Sequence, residues 1–458
     1  MDGWTQTLGA GPLLAIAAGA IVLILILVIQ FKVHAFLTLI LVSLITAFVA
    51  GIPTDQIVPT MVGGFGGTLG SVALLVGLGA MLGKLVEHSG GAKILADKMI
   101  DMFGESRAPF ALGVASLLMG FPIFFDAGLI VMLPIVFAVA RRLGDNVLLY
   151  GMPAAAAFSI MHVFTPPHPG PVTATELYEA NLGLVLLTSV IIVFPLWYLT
   201  GYLWGLWVGK RFILPVPALF GDSDDEGPTN PPKVGTVIGV LLLPIVLIFL
   251  NTGLDFLRAA GTVSPDTTWY AVLSTIGQSP VALLISVLVA TVVLGLRRGE
   301  KATVLEKVVD SALGPISSVV LITGAGGMFG SVLRASGIGD ALADTLDGIG
   351  LPVILAAYVV AVIMRLAQGS ATVALVTAAG LMAPAVMAGD FSVMQVVAIT
   401  LATAAGSVFA SHVNDSGFWL VGRLMGMDVK TTLKTWTVQQ TLQSVAGFIV
   451  TLGIFAIF

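Results

Sequence analysis

Four short segments of this sequence place polar or charged side chains inside otherwise apolar runs. They are Gly120–Gly128 (GFPIFFDAG), His162–Pro171 (HVFTPPHPGP), Arg365–Val373 (RLAQGSATV) and Ser411–Gly417 (SHVNDSG). Each contains Pro or Gly, which interrupt helices and free backbone N–H and C=O groups. In apolar surroundings such groups are costly unless satisfied, so each break points to a ligand or to water. Asp126 sits in a Phe-rich break. A carboxyl group there can exist as the neutral acid, which suits a proton carrier; it equally suits a cap on the arm beginning at Ala127. Arg365 precedes Gly369-Ser370-Ala371-Thr372. Its planar fork binds carboxylates, and a helix start rich in N–H and hydroxyl groups favours an anion. The alternative is that Arg365 extends to the membrane interface. Asn414 and Asp415 can hold a hydroxyl, a proton or a sodium ion, or Asp415 simply caps the segment from Ser416. His162, His168 and His412 lie in separate segments without tight ligand spacing, so no metal site is expected. His168, between prolines, fits a substrate hydrogen-bonder or a loop residue.

The rest of the chain says what must position these residues. Of 458 residues, 57% are hydrophobic and 10% charged, and the mean hydropathy is +1.05. Soluble domains carry about 25% charged residues. A chain this apolar is expected to have lipid as its main solvent. It has no cysteine, which excludes disulfides and thiolate chemistry. A net charge of -5 gives no basic footprint for nucleic acid. The apolar run Pro12–Gln30 follows an acidic start and lacks a basic leader region, so it is expected to be a retained span.

A crossing takes about 20 apolar residues. Full spans are expected near 11–31, 34–51, 63–83, 147–164, 182–208, 234–252, 276–296, 313–333, 394–411 and 436–457. The stretches 108–140 and 351–388 each read as two short apolar arms around a break, which suits re-entrant hairpins. Lys and Arg gather in the loops after 31, 83, 140, 208, 296 and 422, whereas 52–62 and 165–181 have none. The positive-inside rule then puts both termini outside. Gly221–Pro232 is acidic and Pro-rich and reads as a cytoplasmic connector. The Gly63–Gly67 run lacks a following Lys-Ser/Thr, so it reads as close helix packing rather than a phosphate loop. Trp197, Tyr198, Tyr202, Trp204 and Trp207 are expected as lipid-interface anchors.

The two halves repeat. Gly79-Ala80-Met81-Leu82-Gly83 matches Gly326-Gly327-Met328-Phe329-Gly330, Ser89-Gly90 matches Ser336-Gly337, and Leu95-Ala96-Asp97 matches Leu342-Ala343-Asp344. After a small gap Pro134 meets Pro384, and His162-Val163 meets His412-Val413. An odd number of crossings leads from span 63–83 to span 313–333, so the halves are expected to be inverted. Inverted repeats with broken helices at matching places are the mark of secondary transporters, with the site near the midplane. The expected organisation is N-terminal scaffold spans in 1–62, a first repeat in 63–220, a linker in 221–233, connecting spans in 234–312 and a second repeat in 313–458.

The four broken segments also carry a resemblance. Gly120–Asp126, Thr165–Pro171 (TPPHPGP), Arg365–Ala374 (RLAQGSATVA) and Ser411–Trp419 (SHVNDSGFW) resemble the gluconate:proton symporter family, over nearly the whole chain. The resemblance implies proton-coupled import of gluconate or a related sugar acid across the bacterial inner membrane. It also implies the paired hairpins and elevator-like transport unit of the ion transporter superfamily. The candidate substrate carboxylate site is then Arg365 with Gly369, Ser370 and Thr372. Hydroxyl partners are Asp126, Thr165, His168, Asn414 and Asp415, with Phe121 and His412 completing the set. Asp126 and Asp415 are the candidate proton carriers. No cofactor is expected. The partners expected are the sugar acid, the proton and the lipid bilayer, and a homodimer is compatible with the sequence. Two other readings stay open: sodium coupling at Asn414, Asp415 and Ser370, and a membrane-embedded enzyme using Asp126, Asp415 and the histidines. The second lacks a nucleophile or zinc signature, and the absence of a Walker A motif speaks against a nucleotide-driven pump.

Overall fold

The computed structural model describes residues 4–144, 146–217, 230–259, 263–264, 267–338, 340–341, 345, 352–412 and 415–458. Among them the regular secondary structure is entirely helical. Residues 221–229 of the acidic connector, the 342–344 repeat match and Asn414 lie outside the described residues. Seven helices among the described residues are long and apolar enough to cross a membrane, and five shorter ones are apolar. The chain is therefore a polytopic, all-helical membrane protein.

The order begins with α1 (Ala10–Leu25), α2 (Ala35–Val49), α3 (Thr54–His88) and α4 (Gly91–Phe103). The first broken pair follows, α5 (Ala108–Met119) and α6 (Phe125–Leu143), and then the second, α7 (Val147–Phe164) and α8 (Pro169–Leu177). The connecting helices are α9 (Leu182–Leu196), α10 (Trp204–Arg211), α11 (Val234–Ala259), α12 (Thr268–Gly277), α13 (Ser279–Ala290) and α14 (Ala302–Ser311). The last part holds α15 (Leu313–Ala335), α16 (Val353–Gln368), α17 (Ala371–Ala388) and α18 (Val393–Gly406). It ends in α19 (Ser416–Leu424), α20 (Val429–Thr432) and α21 (Val438–Ile457).

Helix α3 corrects one expectation. Residues 54–62 are not a loop but its first turns, and its 35 residues make a rod of about 50 Å. Pro53 precedes the helix and Asp55 sits in its first turn, where a carboxylate favours helix initiation. The glycine run does not end the helix, because part of it is packing surface. A Cβ on Gly64 would lie 2.7 Å from the Gly327 carbonyl of α15. Gly63, Gly66 and Gly67 have no such neighbour, so the close-packing expectation holds at Gly64 alone. Further along α3, a Cβ on Gly83 would lie 2.6 Å from the Pro122 carbonyl, so this glycine lets the first break approach the rod.

The first three expected breaks are real interruptions. Helix α5 stops at Gly120, and α6 restarts at Phe125. Helix α7 stops at Thr165, and α8 starts with Pro169, a favoured first helical residue. Helix α16 ends on Gly369 at φ 77°, a left-handed conformation suited to glycine, and Ser370 caps α17. Around these breaks α5 and α6 pack on α7, α17 packs on α8 and α15, and α18 lies between α16 and α21. Trp197 was expected at the lipid interface but is fully buried, with its Nε1 donating to the Pro153 carbonyl at 2.9 Å. Trp207 and Tyr198 do remain exposed.

Candidate functional site

All four breaks meet at one cavity of about 380 Å³. Its wall includes Phe124, Phe125 and Asp126 from the first break, and His162 and Pro169 from the second. Arg365, Ser370, Ala371 and Thr372 come from the third, and Asp415, Ser416 and Gly417 from the fourth. Helices α6, α8, α17 and α19 therefore all begin at this cavity. A helix start presents unpaired N–H groups and about half a positive charge. Four such ends around one space favour an anion there.

The four starts are not equivalent. Helix α6 carries Asp126 in its first turn. Helix α19 is capped by Asp415, whose Oδ1 accepts from the Gly417 N–H at 2.9 Å. Helix α17 is capped only by the neutral Ser370, whose Oγ accepts from the Val373 N–H at 3.4 Å. Helix α8 likewise has no acid in its first turn and no side-chain cap, so α8 and α17 are the two starts without an acid, and α17 is the one beside Arg365.

Arg365 does not reach for the interface. It is 3% exposed, and one guanidinium nitrogen donates to the Asp415 carboxylate while another donates to the Gly369 carbonyl at 2.5 Å. Asp415 Oδ2 also accepts from Ser411 Oγ, which in turn accepts from Trp436 Nε1 at 2.9 Å. Asp415 thus does both things read from its sequence context: it caps a helix and it faces the cavity. Asp126 is exposed to the cavity and forms no ion pair among the described residues. Lys84 and Glu87 of α3, paired with each other at 3.0 Å, complete the charged part of the wall.

Other expected site residues stand behind this wall. Phe121 is buried in the core, and Thr165 is buried with its hydroxyl 3.9 Å from Met161 Sδ. His168 is buried between Gly120 and His162, with Nε2 2.7 Å from the Gly120 carbonyl. His412 sits off the cavity wall, with Nε2 3.3 Å from the Leu366 carbonyl. Gly369 contributes its carbonyl to Arg365 rather than a surface to the cavity.

Several wall residues were missed in the sequence, among them the charged pair Lys84 and Glu87. His162 lines the cavity, and its signal was its place at the head of the second break, one turn before Pro166. Ser159 and Gln440 line it as well, with Ser159 Oγ donating to Gln440 Oε1 at 2.9 Å. Gln440 continues into a buried amide chain: its Nε2 donates to Gln439 at 2.6 Å, and Gln439 donates to Gln443 at 3.1 Å. Three amides in an otherwise apolar terminal span were the signal there.

Broken helices converging on a largely apolar cavity that carries charged groups, inside a polytopic bundle, define a membrane transport protein. The chain belongs to the GntP family permeases, whose family model matches residues 11–458. It is a permease and not an enzyme. It is 40% identical over 456 residues to the inner membrane permease YgbN of Escherichia coli (strain K12), covering 97% of this chain and 99% of that protein. It is 38% identical over 445 residues to the gluconate permease of Bacillus subtilis (strain 168), covering 95% and 97%. Its fold is similar to that of the Alcanivorax borkumensis YdaH transporter, with a TM-score of 0.66 at 17% identity, covering 93% of this chain and 98% of the other.

Proposed function

We propose that this permease imports gluconate or a related sugar acid with protons across the bacterial inner membrane. The observation that carries the reading is the charge pattern at the four helix starts. The α17 start and Arg365 offer a carboxylate site with no acid on the helix start itself, while Asp126 faces the same space unpaired among the described residues. With every group ionised, the wall holds one more carboxylate than cations: Glu87, Asp126 and Asp415 against Lys84 and Arg365. A sugar-acid anion adds a further negative charge to a low-dielectric space. A proton on Asp126 offsets it, so substrate and proton favour each other's binding. Ser370, Thr372, Ser159 and Gln440 are suited to the sugar hydroxyls, and the relatives named for gluconate fit that chemistry. Coupling to sodium is less well supported, because the Asp415 carboxylate is already ion-paired with Arg365.

The same reading extends to architecture. Ser89 and Ser336 both end long helices, both donate to a carbonyl three residues back, and both precede a left-handed glycine, Gly90 at φ 74° and Gly337 at φ 73°. This local likeness supports inverted repeats in 63–220 and 313–458, with the pairs α5/α6 and α16/α17 as hairpins of an elevator-type unit. Residues 1–62 and 234–312 then form scaffold and connecting spans, and both termini face the periplasm.

Uptake of radiolabelled gluconate into proteoliposomes tests this. Accumulation should follow an imposed pH gradient, be indifferent to sodium, and fall when related sugar acids compete. Absence of gluconate uptake, or accumulation only under a sodium gradient, would reject the reading.

A further inference from the structure

One chain of hydrogen bonds ties the first break to the third through two imidazoles. His168 Nε2 lies 2.7 Å from the Gly120 carbonyl, His168 Nδ1 lies 3.3 Å from His162 Nδ1, and His162 Nε2 lies 3.1 Å from Thr372 Oγ1. The end of the chain fixes its tautomers. A carbonyl can only accept, so His168 carries its proton on Nε2. With both rings neutral, His168 Nδ1 accepts, His162 Nδ1 donates, and His162 Nε2 accepts from the Thr372 hydroxyl. All donors point one way, and Thr372 turns only lone pairs toward the cavity.

One added proton reverses the outer part of this chain. If the pair becomes singly charged, His162 Nε2–H donates to Thr372 Oγ1, while the Nδ1 atoms share the other proton. The Thr372 hydroxyl then swings its hydrogen into the cavity. Nothing covalent breaks except the bond that released the proton from water. Thr372 changes from an acceptor, which repels a carboxylate, to a donor, which binds one, and a positive charge arrives beside the α17 start.

We infer that His162 and His168 form a second proton site of the carrier, loaded together with the substrate carboxylate through Thr372. The inference rests on the proposed proton-coupled uptake and deepens it. His162 lines the cavity, so a proton can reach its Nε2, whereas His168 is buried behind it. The charged groups facing this space come from each surrounding element. They are Lys84 and Glu87 on α3, Asp126 on α6, Arg365 on α16 and Asp415 before α19. Phe124 sets its ring against both imidazoles, with centroids at 5.8 and 5.7 Å.

Glutamine is the discriminating substitution. His162→Gln can still donate and accept but cannot take a proton. Gluconate exchange in proteoliposomes, at equal pH on both sides, should show wild-type KM falling as pH is lowered from about 8 to about 5.5. In His162→Gln the fall should be shallower, keeping only the part carried by Asp126, and KM should end about tenfold above wild type at the acid end, the size of one lost charge-assisted hydrogen bond. Thr372→Val should show the same flattening, and the double variant should add nothing. A His162→Gln profile like the wild type's reduces the pair to a structural tie and overturns the proposal. Wild type that exchanges no gluconate would instead defeat the substrate reading. A readout without substrate decides the histidine question even then. ¹⁵N spectra of histidine-labelled protein, assigned by His162→Gln and His168→Gln, should show Nδ1–H at His162 and Nε2–H at His168 at about pH 8, with one imidazolium shared on acidification. The same tautomer at both positions, or no protonation down to about pH 5.5, overturns the proposal.

Discussion

The first and third breaks are built alike and wired oppositely. Each joins two helical arms through a few irregular residues and opens onto the same cavity. At the first, Asp126 stands exposed to the cavity, with no ion pair among the described residues. At the third, Arg365 is buried and held by Asp415, which lies 50 residues away in sequence and belongs to the fourth break. A charge that must change during a cycle has to be free of fixed partners. A charge that only recognises has to be held in place, since its geometry carries the specificity. Under the proposed function, the difference assigns titration to Asp126 and orientation to the Arg365–Asp415 pair.

The largest expected effect comes from breaking the held pair. Asp415→Ala leaves the Arg365 guanidinium buried beside a lost partner and removes the α19 cap at once. A buried charge stripped of its partner costs about 3–5 kcal/mol. Thermal unfolding in detergent should show a clear fall in midpoint. Asp126→Ala, which strands no cation, should leave the midpoint close to that of the wild type. Equal losses in the two variants would erase the contrast between the breaks.

Next comes coupling. Asp126→Asn mimics the protonated acid. It should bind substrate and still exchange it across the membrane, but accumulate far less under a pH gradient, keeping only what the histidine pair can couple, because no proton can load or leave at Asp126. Asp415→Asn is the control. If Asp126→Asn concentrates substrate while Asp415→Asn does not, the free and held roles are reversed.

Recognition should respond more gently. Arg365→Lys keeps the charge and loses the planar fork that serves Asp415 and Gly369 together. Apparent affinity should fall about tenfold, about 1.4 kcal/mol. Binding measured by competition in a well-folded variant checks this, and unchanged affinity would remove Arg365 from the substrate site.

The breaks themselves were legible because Pro and Gly punctuate a chain locally. Gly120, Pro166-Pro167 and Gly369-Ser370 interrupt helices where the sequence says they do. What stayed hidden depends on distant partners. The pairing of Arg365 with Asp415, the packing of Gly64 on Gly327 and the burial of Trp197 against Pro153 leave no periodicity to read. His162 was read as part of the second break but left out of the substrate set, because its partners, His168 and Thr372, are set by the fold. Residues 54–62 looked like a loop because they are less apolar than a span, yet a helix can extend beyond the hydrocarbon into water. Asp415 shows why two sequence readings need not compete, since it caps α19 through one oxygen and serves Arg365 through the other.

The smallest expected effect sharpens the comparison at the helix starts. Helix α17 is capped by the Ser370 hydroxyl, while α6 begins at Phe124 with no side-chain cap. Ser370 can act on stability through the cap, on affinity through the substrate, or on both. Alanine and glycine separate these roles. Losing a serine cap to alanine costs about 0.5–2 kcal/mol, whereas glycine in the same place costs only about a few tenths. The 3.4 Å reach to the Val373 N–H is long for such a bond, so Ser370→Ala should fall at the low end of that range. If the hydroxyl only caps, Ser370→Ala should lower the unfolding midpoint more than Ser370→Gly, and KM should barely move in either. If it also touches the substrate, both variants should raise KM by the same factor, because both lack the hydroxyl. Equal midpoints together with unchanged KM would mean that the start of α17 is held by its neighbours alone. The carboxylate site would then rest on Arg365, Thr372 and the free backbone N–H groups.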